Sequence, residues 1–366
     1  MKITFFIPNL RVGGAENVLR MMINALIDRY PQYTVSLCLA SANGEIASKI
    51  DKRITIINFS RSNVRYCLYD LIQYFRREKP DCFVVSLDYA NIIASFAHKL
   101  SRSKSKLILW EHSVTSIHSQ TTISKFFILR YFLVNYFYKR AHYIIAVSKG
   151  IAKDMVSNFC IPEEKLYIIY NPIECNEIIQ LANQKEVDCY PKIDKEQYII
   201  SVGRLVQAKN YPLLINAYSL LAENNVFKLI IVGDGPEKQH LQQLISELNL
   251  DGRVVLVGHL NNPFPLMKNA ESVILSSAWE GFSLVLIETL ALKKNIVSTD
   301  CPSGPREILG NGEFGLLVPM NNPEKLAEGI SQIINGEVKF DEDLLLQRAQ
   351  YFSIEKSFNQ FMEIIH

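Results

Sequence analysis

Short, uninterrupted apolar runs alternate with helix-periodic segments along the whole of this 366-residue chain, and no other feature narrows its fold as much. Read as strands, the runs of the first half fall at 2–7, 33–39, 54–59, 82–87, 107–110, 143–147 and 167–170. Cys82-Phe-Val-Val and Tyr143-Ile-Ile-Ala-Val are apolar on both sides, which suits parallel strands covered on both faces. Between the runs, Ala15, Val18, Leu19, Met22, Ala25 and Leu26 recur on one helical face. Such alternation builds a doubly wound α/β sheet. The second half repeats the plan, with strands expected at 198–202, 228–232, 254–257, 273–276, 296–299 and 315–318, and Leu241, Leu244, Ile245 and Leu248 marking a helix. A polar stretch from about Asn171 to Lys195, holding Pro172 and Pro191, has no strand pattern. The reading is two α/β domains, 1–172 and 173–352, facing a cleft, with a capped amphipathic helix at 353–366 returning to the first. Ligands of such sheets bind at the carboxyl ends of the strands.

Composition removes several classes. No run of 18 or more uncharged apolar residues is present to span a bilayer. The apolar start is short and ends at Pro8-Asn9, which fits a first strand better than a signal peptide. Seven scattered cysteines without a Cys-x-x-Cys pair argue against a structural zinc site and for a reducing, cytoplasmic setting. The net charge of +2 hides an asymmetry: residues 1–172 hold 23 Lys and Arg against 12 Asp and Glu, and residues 173–366 hold 16 against 25. Between Lys99 and Arg140, eight basic residues face one acid, Glu111. A basic half fits either an anionic partner, such as a membrane surface, or a solvated face with none.

The chemistry-bearing residues sit where strands end. In Ser276-Ser-Ala-Trp-Glu-Gly-Phe-Ser-Leu-Val-Leu-Ile-Glu288, two carboxylates, Glu280 and Glu288, stand eight positions apart around a turn that opens a helix. A helix start offers free N–H groups to an anion, Ser283 is placed to cap it, and Glu288 lies about a turn and a half further in. The first strand ends in Gly13-Gly14-Ala15-Glu16, which lets backbone approach a phosphate but lacks the Gly-x-Gly-x-x-Gly spacing; glycines there also serve packing alone. Trp110-Glu111-His112-Ser113 puts His112 at a strand end, either as a base or donor toward a hydroxyl or as a histidine satisfied by backbone. His118 is a further candidate in the following loop. After the first strand of the second half, Gly203-Arg204 and Lys209 are placed to clamp a diphosphate, or stand as solvated loop cations. Gly233-Asp-Gly-Pro-Glu237, Gly258-His259-Leu260 and Cys301-Pro-Ser-Gly-Pro-Arg-Glu307 form further strand-end turns. The aromatic run Phe126–Tyr138 is too short to cross a bilayer and reads as a buried helix, with Lys125, Arg130, Lys139 and Arg140 leaving an interfacial role open.

In order, these residues resemble the retaining glycosyltransferases of family 4, which have the two-domain GT-B fold. Glu280 and Glu288 match that family's EX7E motif, and Gly13-Gly14-Ala15-Glu16, Val147-Ser148-Lys149-Gly150, Gly203-Arg204 with Lys209, and Gly233-Asp234-Gly235 follow its order. The resemblance implies that Glu288 binds the ribose of a donor nucleotide and Glu280 contacts the transferred sugar. It implies that Arg204 and Lys209 hold the diphosphate, that Gly14 approaches phosphate and acceptor, and that His112 contacts the donor sugar. Gly203, Gly233, Leu260, Phe282, Ser283 and Leu284 complete the expected donor-binding set. Ser283 and Ser303 stand where the family often has glycine. The implied activity moves a hexose or N-acetylhexosamine from a nucleotide sugar, UDP-linked, to a lipid-linked or cell-surface glycan. No cofactor, metal or nucleic acid is expected, and peripheral contact with an anionic membrane is. The alternatives are a UDP-N-acetylglucosamine 2-epimerase-like isomerase on the same fold and a silent binding subunit.

Overall fold

The computed structural model describes residues 1–11, 13–120, 126–184, 197–221 and 226–366, with the side chains of 118–120 and 126–128 outside that set. The described residues group into two units, Met1–Pro172 with Ile354–His366, and Ile173–Ser353. Residues 185–196, which include Pro191 of the expected linker, lie outside the description.

The first unit is built on seven strands: β1 (Lys2–Ile7), β2 (Thr34–Leu39), β3 (Thr55–Asn58), β4 (Cys82–Ser86), β5 (Lys106–Glu111), β6 (Tyr143–Ala146) and β7 (Leu166–Ile168). They lie in the order β3-β2-β1-β4-β5-β6-β7 with every pairing parallel. Helices cover both faces, so β4 is buried at all of its positions and β1 at all but its first. Strand order reverses between β1 and β4, and a crevice opens at such a point. The helix Gly14–Arg29 starts there and buries Val18, Leu19, Met22 and Leu26. The last helix, Ile354–Ile365, closes this unit's core. Phe361 lies 6.0 Å from Phe5 and 5.7 Å from Trp110, centroid to centroid. Arg29 pairs with Glu355, and Lys106 Nζ donates to the last-turn carbonyl of Ile365 at 2.8 Å.

The second unit has six strands: β8 (Tyr198–Val202), β9 (Lys228–Val232), β10 (Val254–Gly258), β11 (Ser272–Leu275), β12 (Asn295–Thr299) and β13 (Leu316–Val318). Their order, β10-β9-β8-β11-β12-β13, is again wholly parallel. The reversal falls between β8 and β11, directly below the Gly203 turn and the Glu280 loop. Ile199, Leu214, Leu229, Ile231, Leu241 and Ile330 fill the core on one side of this sheet.

Two local expectations change. The run Phe126–Tyr138 is a helix, but only one side of it is buried: Val134, Phe137 and Tyr138 face inward, while Leu129 and Phe132 are 54% and 62% exposed. An apolar helix lying on one layer has only one face to cover. Ser283 occupies the cap position of the helix Leu284–Ala291, but its Oγ makes no bond to the helix N–H groups and is buried with no hydrogen-bond partner among the described residues.

Candidate active site

In the second unit the loop after β11 folds back onto the turn after β8. Ala278 N donates to Ala208 O at 2.8 Å, Ser276 Oγ to Lys209 O at 2.9 Å, and Thr299 Oγ1, at the end of β12, to Ser277 O at 2.7 Å. These braces bring Glu280 to Lys209. Glu280 Oε1 accepts from Lys209 Nζ and from Ser277 Oγ, both at 2.6 Å. The ion pair is mostly shielded, with the Glu280 side chain 10% exposed. Arg204 is exposed on the same strand-end turn and has no ion-pair partner among the described residues. The cluster therefore offers one paired cation, one exposed cation and a bonded carboxylate.

The glycines of this edge are set by close approach. Gly233 has φ +147°, and a Cβ there would lie 1.9 Å from Gly203 O. The ends of β8, β9 and β10 press together, with Gly233 N donating to Gly258 O and Leu205 N to Asp234 O. Gly203 itself lies under Tyr211, whose hydroxyl donates to Gly203 O at 3.0 Å. Leu260 follows β10, half-buried.

Beyond Glu280, Phe282 turns inward and meets Phe352 edge-on at 5.4 Å, so its ring anchors the turn while its backbone stays at the helix start. Ser283 is buried and Leu284 begins the helix. Glu288, one turn in, is half-buried, and desolvation lifts its carboxyl to about 7 against the lowering pull of Lys209. It is therefore divided between neutral and charged forms near neutral pH. Ser303, in the left-handed region at φ +69°, donates through Oγ to Gly281 O at 2.7 Å and ties the loop after β12 to the same turn. Arg306 pairs with Asp300 on that loop.

The first unit carries Gly14 and His112, each at the carboxyl end of a strand that neighbours β4. Gly13 caps the helix Gly14–Arg29, and the Glu16 carboxylate folds back over it: a Cβ on Gly13 would meet Glu16 Oε2 at 2.2 Å. His112 Nε2 and Ser86 Oγ share a hydrogen bond of 2.9 Å, and the ring stacks on Trp110 at 5.6 Å. Its Nδ1 is buried with no hydrogen-bond partner among the described residues, and desolvation pushes its pKa down to about 3, so the imidazole is neutral. His118 lies in the short helix Thr115–Gln120, and its side chain is outside the described residues.

Three groups escaped the sequence reading. Ser277 and Ser303 hold the Glu280 turn, but nothing in a polar loop sequence names the partner that folding supplies. Glu111 was visible as the lone acid of a basic stretch and as His112's neighbour, with no sign of its burial. It is fully buried, with Oε2 accepting from Tyr138 Oη at 2.7 Å and Oε1 from Ser113 Oγ at 3.3 Å. Burial raises its carboxyl to about 8, with the charge of Asp88 adding to the effect.

Two wholly parallel, doubly wound units in one chain form the GT-B architecture. The structural neighbours agree: Anabaena HepE in complex with UDP and glucose superposes with a TM-score of 0.81 at 20% identity, covering 99% of this chain and 98% of that one. A Glycosyltransferase Family 4 model matches residues 12–177, and a Glycosyl transferases group 1 model matches residues 183–348. The chain belongs to the family 4 glycosyltransferases. It is 33% identical over 347 residues to the Campylobacter jejuni N-acetylgalactosamine-N,N'-diacetylbacillosaminyl-diphospho-undecaprenol 4-alpha-N-acetylgalactosaminyltransferase, covering 92% of this chain and 91% of that protein. It is 24% identical over 366 residues to the Salmonella typhimurium lipopolysaccharide 1,6-galactosyltransferase, covering 96% and 95%. These relatives are transferases, and none of them speaks for the isomerase alternative.

Proposed function

We propose that this glycosyltransferase moves a hexose or N-acetylhexosamine from a UDP-sugar to a lipid-linked or cell-surface glycan, with retention at the anomeric carbon and without a divalent metal. The second unit takes the donor and the first the acceptor, at the cytoplasmic face of a membrane. The observation that carries the reading is the Lys209–Glu280–Ser277 cluster, set beside Arg204 and the helix start at Leu284. The activities named for the Campylobacter and Salmonella relatives and the UDP in the HepE complex support the choice of donor and acceptor class.

In this reading Arg204 and Lys209 meet the donor diphosphate, where charge grows as the bond from the sugar's anomeric carbon to the β-phosphate oxygen breaks. Fixed cations act most on the state in which that charge is greatest. The acceptor oxygen bonds to the anomeric carbon on the face the phosphate leaves, and its proton passes to a leaving phosphate oxygen. Glu280, released from Lys209 by the incoming phosphate, accepts hydroxyls of the sugar, and Glu288 accepts those of ribose. Gly14 lets backbone approach the phosphate and acceptor, and neutral His112 offers a hydrogen bond to the sugar without adding charge. Gly203, Gly233 and Leu260 shape the nucleotide pocket, and the amides at Phe282, Ser283 and Leu284 meet phosphate or sugar. The test is a panel of UDP-sugars with undecaprenyl-diphosphate glycans as acceptors, followed by product stereochemistry with and without chelator. Inversion would overturn the retaining assignment. Loss of turnover on chelation would overturn metal independence. Epimerised donor without acceptor would overturn transfer.

A further inference from the structure

We propose that Glu111 is a positioning residue for sugar transfer: buried beneath the end of β5, it holds the His112–Ser113 turn in the attitude the reaction uses. The transfer itself rests on the reading above, and the holding rests on the hydrogen bonds of this strand end alone.

Glu111 is the last residue of β5 and is fully buried. The two residues after it are half-buried and reach the carboxyl edge of the sheet. Successive side chains leave a strand on opposite sides. Trp110 and His112 point one way, where their rings stack and Trp110 meets Phe361. Glu111 points the other way, toward the helices Asp88–Ser101 and Phe126–Tyr138. One residue of each helix receives it. Tyr138 Oη donates to Glu111 Oε2 at 2.7 Å, and Asn91 Nδ2 donates to the same oxygen at 3.4 Å. Asn91 Nδ2 also lies 3.1 Å from Tyr138 Oη and 3.3 Å from Trp110 O, so the three side chains are tied to one another and to the strand's backbone. The other carboxyl oxygen faces the turn: Oε1 accepts from Ser113 N at 3.4 Å and from Ser113 Oγ at 3.3 Å. One carboxyl thus joins two packed helices to the loop that carries His112.

The adjoining strand end is constrained as well. Leu87, just after β4, has φ +80°, a conformation that a leucine rarely adopts, and its N–H donates to Trp110 O at 3.3 Å. Ser86, immediately before it, shares the hydrogen bond with His112 Nε2. Strained backbone of this kind collects at sites whose geometry is held for function. The His112 ring is steadied by Ser86, and the backbone that follows it by Glu111.

Stability alone does not call for a carboxyl here. Taking one out of water is costly, and well-packed apolar groups in place of a buried polar network often serve as well or better. Burial and the charge of Asp88 raise the Glu111 carboxyl to about 8, and Asp88 itself is paired with Arg130. Near neutral pH the group is therefore mostly an uncharged hydrogen-bonding bridge, which glutamine imitates and leucine does not.

The experiment compares the full chain with three variants, Glu111→Gln, Glu111→Leu combined with Tyr138→Phe, and Ser113→Ala. Each is measured for steady-state transfer from a UDP-sugar to an undecaprenyl-diphosphate glycan, for thermal melting, and for hydrogen exchange across residues 111–114. In the Leu/Phe variant the network is replaced by apolar groups. It should melt cooperatively, exchange faster at 111–114 and lose roughly 10- to 100-fold in kcat, with donor KM little changed. Glu111→Gln should keep most of the kcat and the exchange protection. Ser113→Ala, on the loop, should lose roughly 5-fold in kcat, the factor that goes with one hydrogen bond. Parent kcat in a cooperatively melting Leu/Phe variant, or unchanged exchange at 111–114 in it, would overturn the proposal. So would a loss in Glu111→Gln as large as in the Leu/Phe variant, which would make the negative charge rather than the holding the contribution. If the Leu/Phe variant does not fold, Ser113→Ala decides, and parent kcat there overturns the proposal. A parent chain that transfers from no UDP-sugar counts against the transferase reading, while the exchange comparison still decides whether Glu111 holds the turn.

Discussion

Lys209 is paired with Glu280, and this sets what its loss should cost. Lys209→Ala strands Glu280 with Ser277 alone and, in the proposed reading, removes the cation that meets the leaving phosphate. A fall in kcat of roughly 10²–10³-fold is expected, with a smaller change in donor KM, read from UDP release. Glu288 makes a second, pH-resolved prediction. Its carboxyl is raised to about 7, above the ordinary value, and in the proposed reading the ionised form is the better acceptor for the two ribose hydroxyls. UDP affinity should therefore strengthen as pH rises through about 7. In Glu288→Gln that dependence should vanish and binding should be weaker, as titration calorimetry across pH would show. Glu111, also raised, acts on stability with the opposite pH dependence. The folded state holds its proton up to about 8 and the unfolded chain does not, so the contribution is full below the usual carboxyl pKa and is lost as pH rises toward 8. Glu111→Gln should flatten the decline in melting temperature over that interval.

At the scale of elements, the donor edge is a set of strand-end turns packed against one another, and Gly233 is its tightest point. Gly233→Ala puts a methyl group into Gly203 O at a positive φ. The expected cost is about 2–4 kcal/mol by chemical denaturation, with loss of UDP binding. The strands were legible in the sequence because burial on both faces leaves an apolar run with no polar interruption, as at Cys82–Ser86 and Tyr198–Val202. Glu280, Lys209 and Gly203 were legible for a related reason: strand ends in parallel sheets collect at one edge. The braces were not. Ser277, Thr299 and Ser303 act through carbonyl and carboxylate partners up to 22 residues away, and a serine in a loop looks the same with or without such a partner. The exposed side of Phe126–Tyr138 was hidden in another way, since uniform apolarity carries no periodicity to mark which face is left uncovered.

On the scale of the whole molecule, the first unit is assembled from both ends of the chain. Removing 354–366 would uncover Phe5 and Trp110 and release Arg29 from Glu355. The truncated chain should lose the first unit's melting transition or aggregate. The second unit, continuous over Ile173–Ser353, should keep its UDP-induced shift, and differential scanning calorimetry with and without UDP separates the two. The closing helix also imposes an order on biosynthesis. The strands of the first unit leave the ribosome early, but the residues that cover Trp110 and Phe5 are translated only after the entire second unit. Until they emerge, the nascent first unit keeps an open apolar face, and any chain cut short before Ile354 would carry that defect permanently.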